Sequence, residues 1–185
     1  MLSDLQRKKL PNLFHLHDKD RDGALRREDY VQFPRELAQA RGFEIGSPEE
    51  QELSARFLAG WESLSDFRVD GGVSLDGWLA YWERVLTTDG LYEQFAGSMG
   101  EFIFLLLDAN GDGTVGRDEF LDFYRAYDLS EEESLRLFDR LDLDGSGSLS
   151  RDEIEVLLRQ YFLSDDPDAP GNVFFGPYED AHSLA

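Results

Sequence analysis

Four twelve-residue frames in this chain carry, or have lost, a ring of oxygen donors at fixed spacing. The first is DKDRDGALRRED, from Asp18 to Asp29. The third is DANGDGTVGRDE, from Asp108 to Glu119, and the fourth is DLDGSGSLSRDE, from Asp142 to Glu153. The second, DFRVDGGVSLDG from Asp66 to Gly77, keeps the frame without the donors. Oxygen donors at positions 1, 3 and 5, a backbone carbonyl at 7 and a carboxylate at 12 describe the coordination sphere of a hard cation such as Ca²⁺, which takes about six to eight oxygens. Position 6 must turn sharply, and a glycine stands there in every frame: Gly23, Gly71, Gly113 and Gly147.

The frames predict unequal sites. The third offers Asp108, Asn110, Asp112, the Thr114 carbonyl and Glu119; Gly116 at position 9 leaves that corner to water. The fourth offers Asp142, Asp144, Ser146, the Ser148 carbonyl and Glu153, with a neutral hydroxyl at position 5 that weakens it a little. The first offers Asp18, Asp20, Asp22 and the Ala24 carbonyl, and ends on Asp29. Aspartate is one methylene shorter than glutamate, so it binds less readily through both oxygens. That lowers the coordination number towards the six of Mg²⁺ and predicts a mixed Ca²⁺/Mg²⁺ site. Arg26, at position 9, brings no oxygen. In the second frame Arg68 at position 3 and Gly77 at position 12 predict a silent loop. Like charges about 4 Å apart repel by about 4 kcal/mol at an effective dielectric near 20, so metal binding and ordering of the acidic loops are expected to be coupled.

Helices must hold such loops at both ends. Apolar residues recur at helical spacing before and after each frame, as in Leu53, Phe57 and Trp61 before the second and Phe120, Phe123, Tyr124 and Tyr127 after the third. Ser47 with Glu50 and Ser130 with Glu133 have capping-box spacing. Position 8 is apolar throughout (Leu25, Val73, Val115 and Leu149), which predicts a short two-stranded contact between paired loops and gives the silent loop a structural task. The expected architecture is all-α: four helix–loop–helix hands in two pairs, packed into one compact unit. The expected division is residues 1–90, 91–162 and a tail 163–185 that packs onto the body through Val173, Phe174, Phe175 and Tyr178.

Composition narrows the function. With 39 acidic and 18 basic residues the formal charge is −21, which disfavours nucleic acid and anionic membranes and suits divalent cations. There is no cysteine, so neither disulfides nor thiol chemistry arise. The start, MLSDLQRKKLPNLF, lacks the apolar core of a signal peptide and no apolar run reaches about 18 residues, so a cytoplasmic location is expected. His15 and His17, two apart on a helix, face different ways and are read as solvated. Trp61, Trp78, Tyr81 and Trp82 are read as core, with a small-molecule cavity as the alternative. No Ser-His-Asp or Cys-His constellation stands out, and no enzyme is expected.

The loops resemble those of the EF-hand superfamily. Working hands 1, 3 and 4, a silent hand 2 and an Asp closing the first loop are similar to the sarcoplasmic calcium-binding proteins and their bacterial relatives of the calerythrin type. Ser164 to Asn172, SDDPDAPGN, is similar to a segment of the bacterial members. That resemblance implies a cytosolic Ca²⁺ buffer or transporter. Coelenterazine photoproteins and luciferin-binding proteins share the silent second hand and are the competing family. Photoproteins imply His-Trp-Tyr groups and a C-terminal Tyr-Pro element, whereas this chain ends HSLA and holds only His15, His17 and His182. A sensor of a protein target would be expected to carry a Met-rich groove, and only Met1 and Met99 are present. A monomeric buffer is therefore the leading expectation, with a sensor or a carrier of an apolar ligand as alternatives.

Overall fold

The computed structural model describes residues 1–40, 43–125 and 129–178. Tyr127, His182 and the tail beyond 178 lie outside them. Helices run α1 Asp4–His17, α2 Arg27–Ala40, α3 Pro48–Ser63, α4 Leu75–Thr87, α5 Leu91–Leu107, α6 Arg117–Arg125, α7 Glu131–Leu141 and α8 Arg151–Leu163. Two-residue strands lie within the loops: β1 Ala24–Leu25, β2 Val73–Ser74, β3 Val115–Gly116 and β4 Ser148–Leu149. Short 3-10 turns cover Ser65–Phe67 and Pro170–Val173. Among the described residues no helix is long and apolar enough to cross a membrane.

The strands pair as the apolar eighth positions predict. β1 is antiparallel to β2 with Leu25 opposite Val73, and β3 is antiparallel to β4 with Val115 opposite Leu149. All four residues are fully buried. Each pair of loops is thus joined by backbone hydrogen bonds over an apolar contact, the unit of stabilisation in any two-stranded ladder.

Two compact bodies result, one of Leu13–Arg84 and one of Met1–Asn12 with Val85–Ala185. The first twelve residues thus belong with the second pair of hands. Pro11, inside α1, removes a ladder hydrogen bond beside this division.

In the Leu13–Arg84 body, α2 packs on α3 and the core is aromatic. Trp61, Trp78, Tyr81 and Trp82 are all buried, as core packing requires. Trp78 and Trp82 meet edge to face at 5.7 Å, and Phe67 meets Tyr81 the same way at 5.7 Å. His17 departs from the expectation of a solvated surface. It is half-buried, with its ring 5.3 Å from Tyr30, 6.2 Å from Phe57 and 6.0 Å from Trp78. Burial, with Lys19 adding to it, pushes its pKa down to about 4. The last turn of α1 faces the core here, which a two-residue spacing alone does not reveal. His15 is exposed, as expected.

In the other body the tail is docked. The Pro170–Val173 turn packs on α8 and α7, and Val173, Phe174 and Phe175 are buried while Tyr178 is half-buried. Gly171 lies so close to α8 that a Cβ there would stand 2.2 Å from the Leu157 carbonyl oxygen. The buried Lys9 of α1 ties the same region together. Its ammonium donates to the carbonyls of Gln160 and Ser164, both at 3.1 Å, and to Asn172 Oδ1 at 2.8 Å, so its three donors meet three acceptors. Asn172 in turn donates to the carbonyls of Asp166 and Pro167. The Tyr161 hydroxyl donates to the Lys9 carbonyl at 2.5 Å, and that of Tyr124 donates to the Phe174 carbonyl.

The capping boxes divide. Ser130 and Glu133 form the full reciprocal box. Ser47 accepts from the Glu50 N–H, but Glu50 returns to the Gly46 N–H and to the Ser54 hydroxyl, so only half a box exists there. Two further reciprocal boxes form, Ser3 with Gln6 and Ser150 with Glu153.

Candidate metal centre

The first, third and fourth loops start where an incoming helix ends, and all four turn at the sixth residue in the left-handed region. Gly23, Gly71, Gly113 and Gly147 have φ of 84°, 81°, 89° and 88°. The turn aims the sixth N–H back at the first carboxylate: Gly23 and Gly113 donate to Asp18 and Asp108 at 3.1 Å, and Gly147 to Asp142 at 2.8 Å. One oxygen of each first aspartate is thereby fixed, and the carboxylate is oriented into the loop.

In the first loop, carboxylate oxygens of Asp18, Asp20 and Asp22 come within 4.8 Å of one another. Asp18 is 4% exposed, and its Oδ1 has no hydrogen-bond partner among the described residues. A buried carboxylate oxygen without a donor is costly, and a bound cation is what would satisfy it. These three carboxylates could together hold a divalent cation. Asp29 stands outside the converging three. Its Oδ2 accepts from the Arg26 N–H at 2.7 Å. Burial raises its pKa, and the fields of Asp20 and Asp18 add to the rise. Ala24 lies on β1. The Arg26 guanidinium, at position 9, donates from Nε to Asp22 Oδ2 at 3.1 Å. This contact holds the Asp22 carboxyl below the usual range. At position 4, Arg21 has φ 57°, where the third and fourth loops place Gly111 and Gly145.

The fourth loop gathers Asp142, Asp144 and Glu153 within the same 4.8 Å. Glu153 closes the loop from its far end. Its Oε1 accepts from the Leu143 N–H at 3.0 Å, and its Oε2 from the N–H and hydroxyl of Ser150 at 2.8 and 2.7 Å. Ser146 donates its hydroxyl to the Ser148 carbonyl at 2.9 Å, bringing positions 5 and 7 together. Hydrogen bonds from Ser146 lower the Asp144 pKa.

In the third loop Glu119 plays the same closing part, accepting from the Ala109, Asn110 and Gly116 N–H groups, each at 2.9 Å. Asn110 donates to Asp112 at 3.0 Å, and Thr114 binds Asp112 through both its N–H and hydroxyl. These bonds from Thr114 and Asn110 lower the Asp112 pKa.

The second loop is arranged otherwise. Asp66 pairs with Arg84 at 2.9 Å. Arg68 turns away from the loop, lies 4.0 Å over the Trp61 ring and pairs with Glu62 at 3.2 Å. Gly77 has no carboxylate, and a Cβ there would already meet the Phe67 carbonyl oxygen at 3.1 Å.

The comparisons agree with this geometry. Residues 98–159 match the model of an EF-hand domain pair. Over those residues the chain carries an EF-hand domain pair. Calerythrin of Saccharopolyspora erythraea is 28% identical over 140 residues, covering 71% of this chain and 77% of calerythrin. The sarcoplasmic calcium-binding protein of amphioxus superposes with a TM-score of 0.72 at 21% identity, over 96% of this chain and 99% of that one. The Ca-loaded apo form of the coelenterazine-binding protein from Renilla muelleri superposes with a TM-score of 0.73 at 23% identity, over 95% and 99%. The fold is that of the amphioxus sarcoplasmic calcium-binding protein, and the matched EF-hand pair supports Ca²⁺ binding.

Proposed function

We propose that this EF-hand protein is a monomeric cytosolic Ca²⁺ buffer with three working loops and a silent second one. Asp18, Asp20, Asp22, the Ala24 carbonyl and Asp29 form the first site, which also admits Mg²⁺. Asp108, Asn110, Asp112, the Thr114 carbonyl and Glu119 form the second. Asp142, Asp144, Ser146, the Ser148 carbonyl and Glu153 form the third. The silent loop serves as the strand partner of the first.

The observation that carries the buffer reading is the docked tail. Val173, Phe174 and Phe175 lie buried on the second pair of hands, and Gly171 and the Lys9–Asn172 contact hold them there. A sensor opens a flexible apolar groove to its target when Ca²⁺ binds. Here the chain's own Val173, Phe174 and Phe175 are buried and the turn before them packs on α7 and α8, which supports a closed body. Fluorescence of an apolar dye on addition of Ca²⁺ tests the point: a buffer leaves it flat or lowers it, and a rise overturns the reading.

A second reading, a carrier of an apolar small molecule, draws on the shared fold of the coelenterazine-binding protein and on the aromatic cluster around Trp78. Those rings pack against one another, which favours the buffer. Solvent extraction of the purified protein followed by mass spectrometry separates the two: a stoichiometric ligand supports the carrier, and none supports the buffer.

A further inference from the structure

Arg26 sets the first loop apart from the third and fourth, which serve as internal controls. In all three, the N–H of position 9 donates to the closing carboxylate: Arg26 to Asp29 at 2.7 Å, Gly116 to Glu119 at 2.9 Å and Ser150 to Glu153 at 2.8 Å. The backbone frame is therefore the same. What differs is the side chain. Gly116 has none, and Ser150 turns its hydroxyl to Glu153. Arg26 reaches Asp22, the fifth-position carboxylate, at 3.1 Å. The fifth-position residues of the other loops take neutral partners, Thr114 and Asn110 on Asp112 and the Ser148 carbonyl on Ser146. The silent loop leaves room for this arrangement, since a Cβ on Gly72 would lie 3.3 Å from Arg26 Nη1.

We propose that Arg26 is a built-in competitor at the first metal site: its guanidinium holds Oδ2 of Asp22, so a metal ion that takes this carboxylate must share it with that positive charge or displace it. The proposal rests on the reading of this loop as a metal site, to which the buried, partnerless Asp18 Oδ1 independently points. Arg26 acts as a positioning and selectivity residue through Asp22. With Oδ2 of Asp22 shared with Arg26 and Asp29 one methylene short, the loop offers Ca²⁺ fewer carboxylate oxygens than a loop closed by glutamate. That suits Mg²⁺, which retains several waters, better than Ca²⁺, which seeks six to eight oxygens. The competitor thus lowers Ca²⁺ affinity at this site and narrows its preference over Mg²⁺.

The test is calorimetric titration of the full chain with Ca²⁺, with and without Mg²⁺, for the parent, Arg26→Gln, Arg26→Lys and Gly72→Ala. An exposed ion pair of this kind shifts an equilibrium by up to about fivefold, and loss of a positive charge beside a dication adds to that. Arg26→Gln is therefore expected to tighten Ca²⁺ at the first site by about fivefold or more and to weaken Mg²⁺ competition, with the other two sites unmoved. Arg26→Lys keeps the charge and is expected to stay within about twofold of the parent. Gly72→Ala, which crowds the guanidinium, shifts the first site in the same direction as Arg26→Gln. A first site that fills in the parent and is unchanged or weaker in both Arg26→Gln and Gly72→Ala overturns the proposal and leaves the three-site reading standing. A first loop that takes metal only in Arg26→Gln supports the competitor and overturns three working sites in the parent. A first loop that takes no metal in any variant overturns both.

Discussion

Replacing Gly171 by alanine isolates the docking of the tail. The added Cβ would stand 2.2 Å from the Leu157 carbonyl oxygen and 2.7 Å from Gln160 Cβ. Both neighbours belong to α8, so neither is the free end of a flexible side chain. Forcing a methyl group into a filled interior costs about 1–3 kcal/mol where the structure yields. A carbonyl oxygen at 2.2 Å places this site at the upper end. The ceiling is set by the tail letting go. Full burial of a Val or Phe side chain is worth about 1.5–3 kcal/mol each, so freeing Val173, Phe174 and Phe175 forfeits about 4.5–9 kcal/mol before the regained chain entropy is subtracted. The expected result is a loss of about 2–3 kcal/mol in urea unfolding of the Ca²⁺-loaded protein, with new dye binding and faster cleavage near residue 170. Unchanged stability with no dye binding would show that Gly171 does not seat against α8, and the argument for a closed body would fail with it.

Other perturbations follow from the same geometry. Arg21→Gly relieves a left-handed non-glycine residue and is expected to stabilise the Ca²⁺-loaded protein by about 0.5–1 kcal/mol, read from the urea midpoint; a loss of stability contradicts it. Ser150→Ala removes a capping hydroxyl and one of the bonds that aim Glu153, and is expected to cost about 1 kcal/mol and to weaken Ca²⁺ at the fourth loop alone; an unchanged calorimetric profile counts against the dual role of Glu153. Burial pushes the Lys9 ammonium down to about 8, against a smaller upward pull from Asp165. Between about pH 8 and 10.5 the unfolded chain therefore holds a proton that the folded chain has released, so this group's contribution to stability rises with pH across that window and is flat below it. Urea midpoints measured from pH 7 to 9.5, below the tyrosine range, should climb in the parent and not in Lys9→Met; equal slopes refute the assignment.

The geometry of the loops was legible because it is local. A left-handed glycine sets each turn, and an apolar eighth position sets the pairing of Leu25 with Val73 and of Val115 with Leu149. The docking of the tail was legible from the apolar weight of Val173, Phe174 and Phe175, but its fastening was not. Lys9 meets Asn172 across more than 160 residues, and no local pattern marks a lysine that will be buried. His17 was misread for a related reason. Its burial depends on rings contributed by α2, α3 and α4, not on its spacing from His15. Glu50 had the spacing of a box partner, yet the Gly46 N–H and the Ser54 hydroxyl competed for its carboxylate. Arg26 could be read as a missing ligand but not as a partner of Asp22, because that contact depends on a rotamer and on the space left by Gly72 of another loop.

The number of loops that hold metal decides between a three-site protein and its alternatives. Calorimetric titration of the full chain with Ca²⁺, repeated with Mg²⁺ present, counts them directly. Three Ca²⁺ equivalents, one of them displaced or weakened by Mg²⁺ and lost in Asp18→Asn, are expected. Four equivalents would mean that the second loop binds despite Arg68 and Gly77, and two would remove the first loop from the working set; either result contradicts the account.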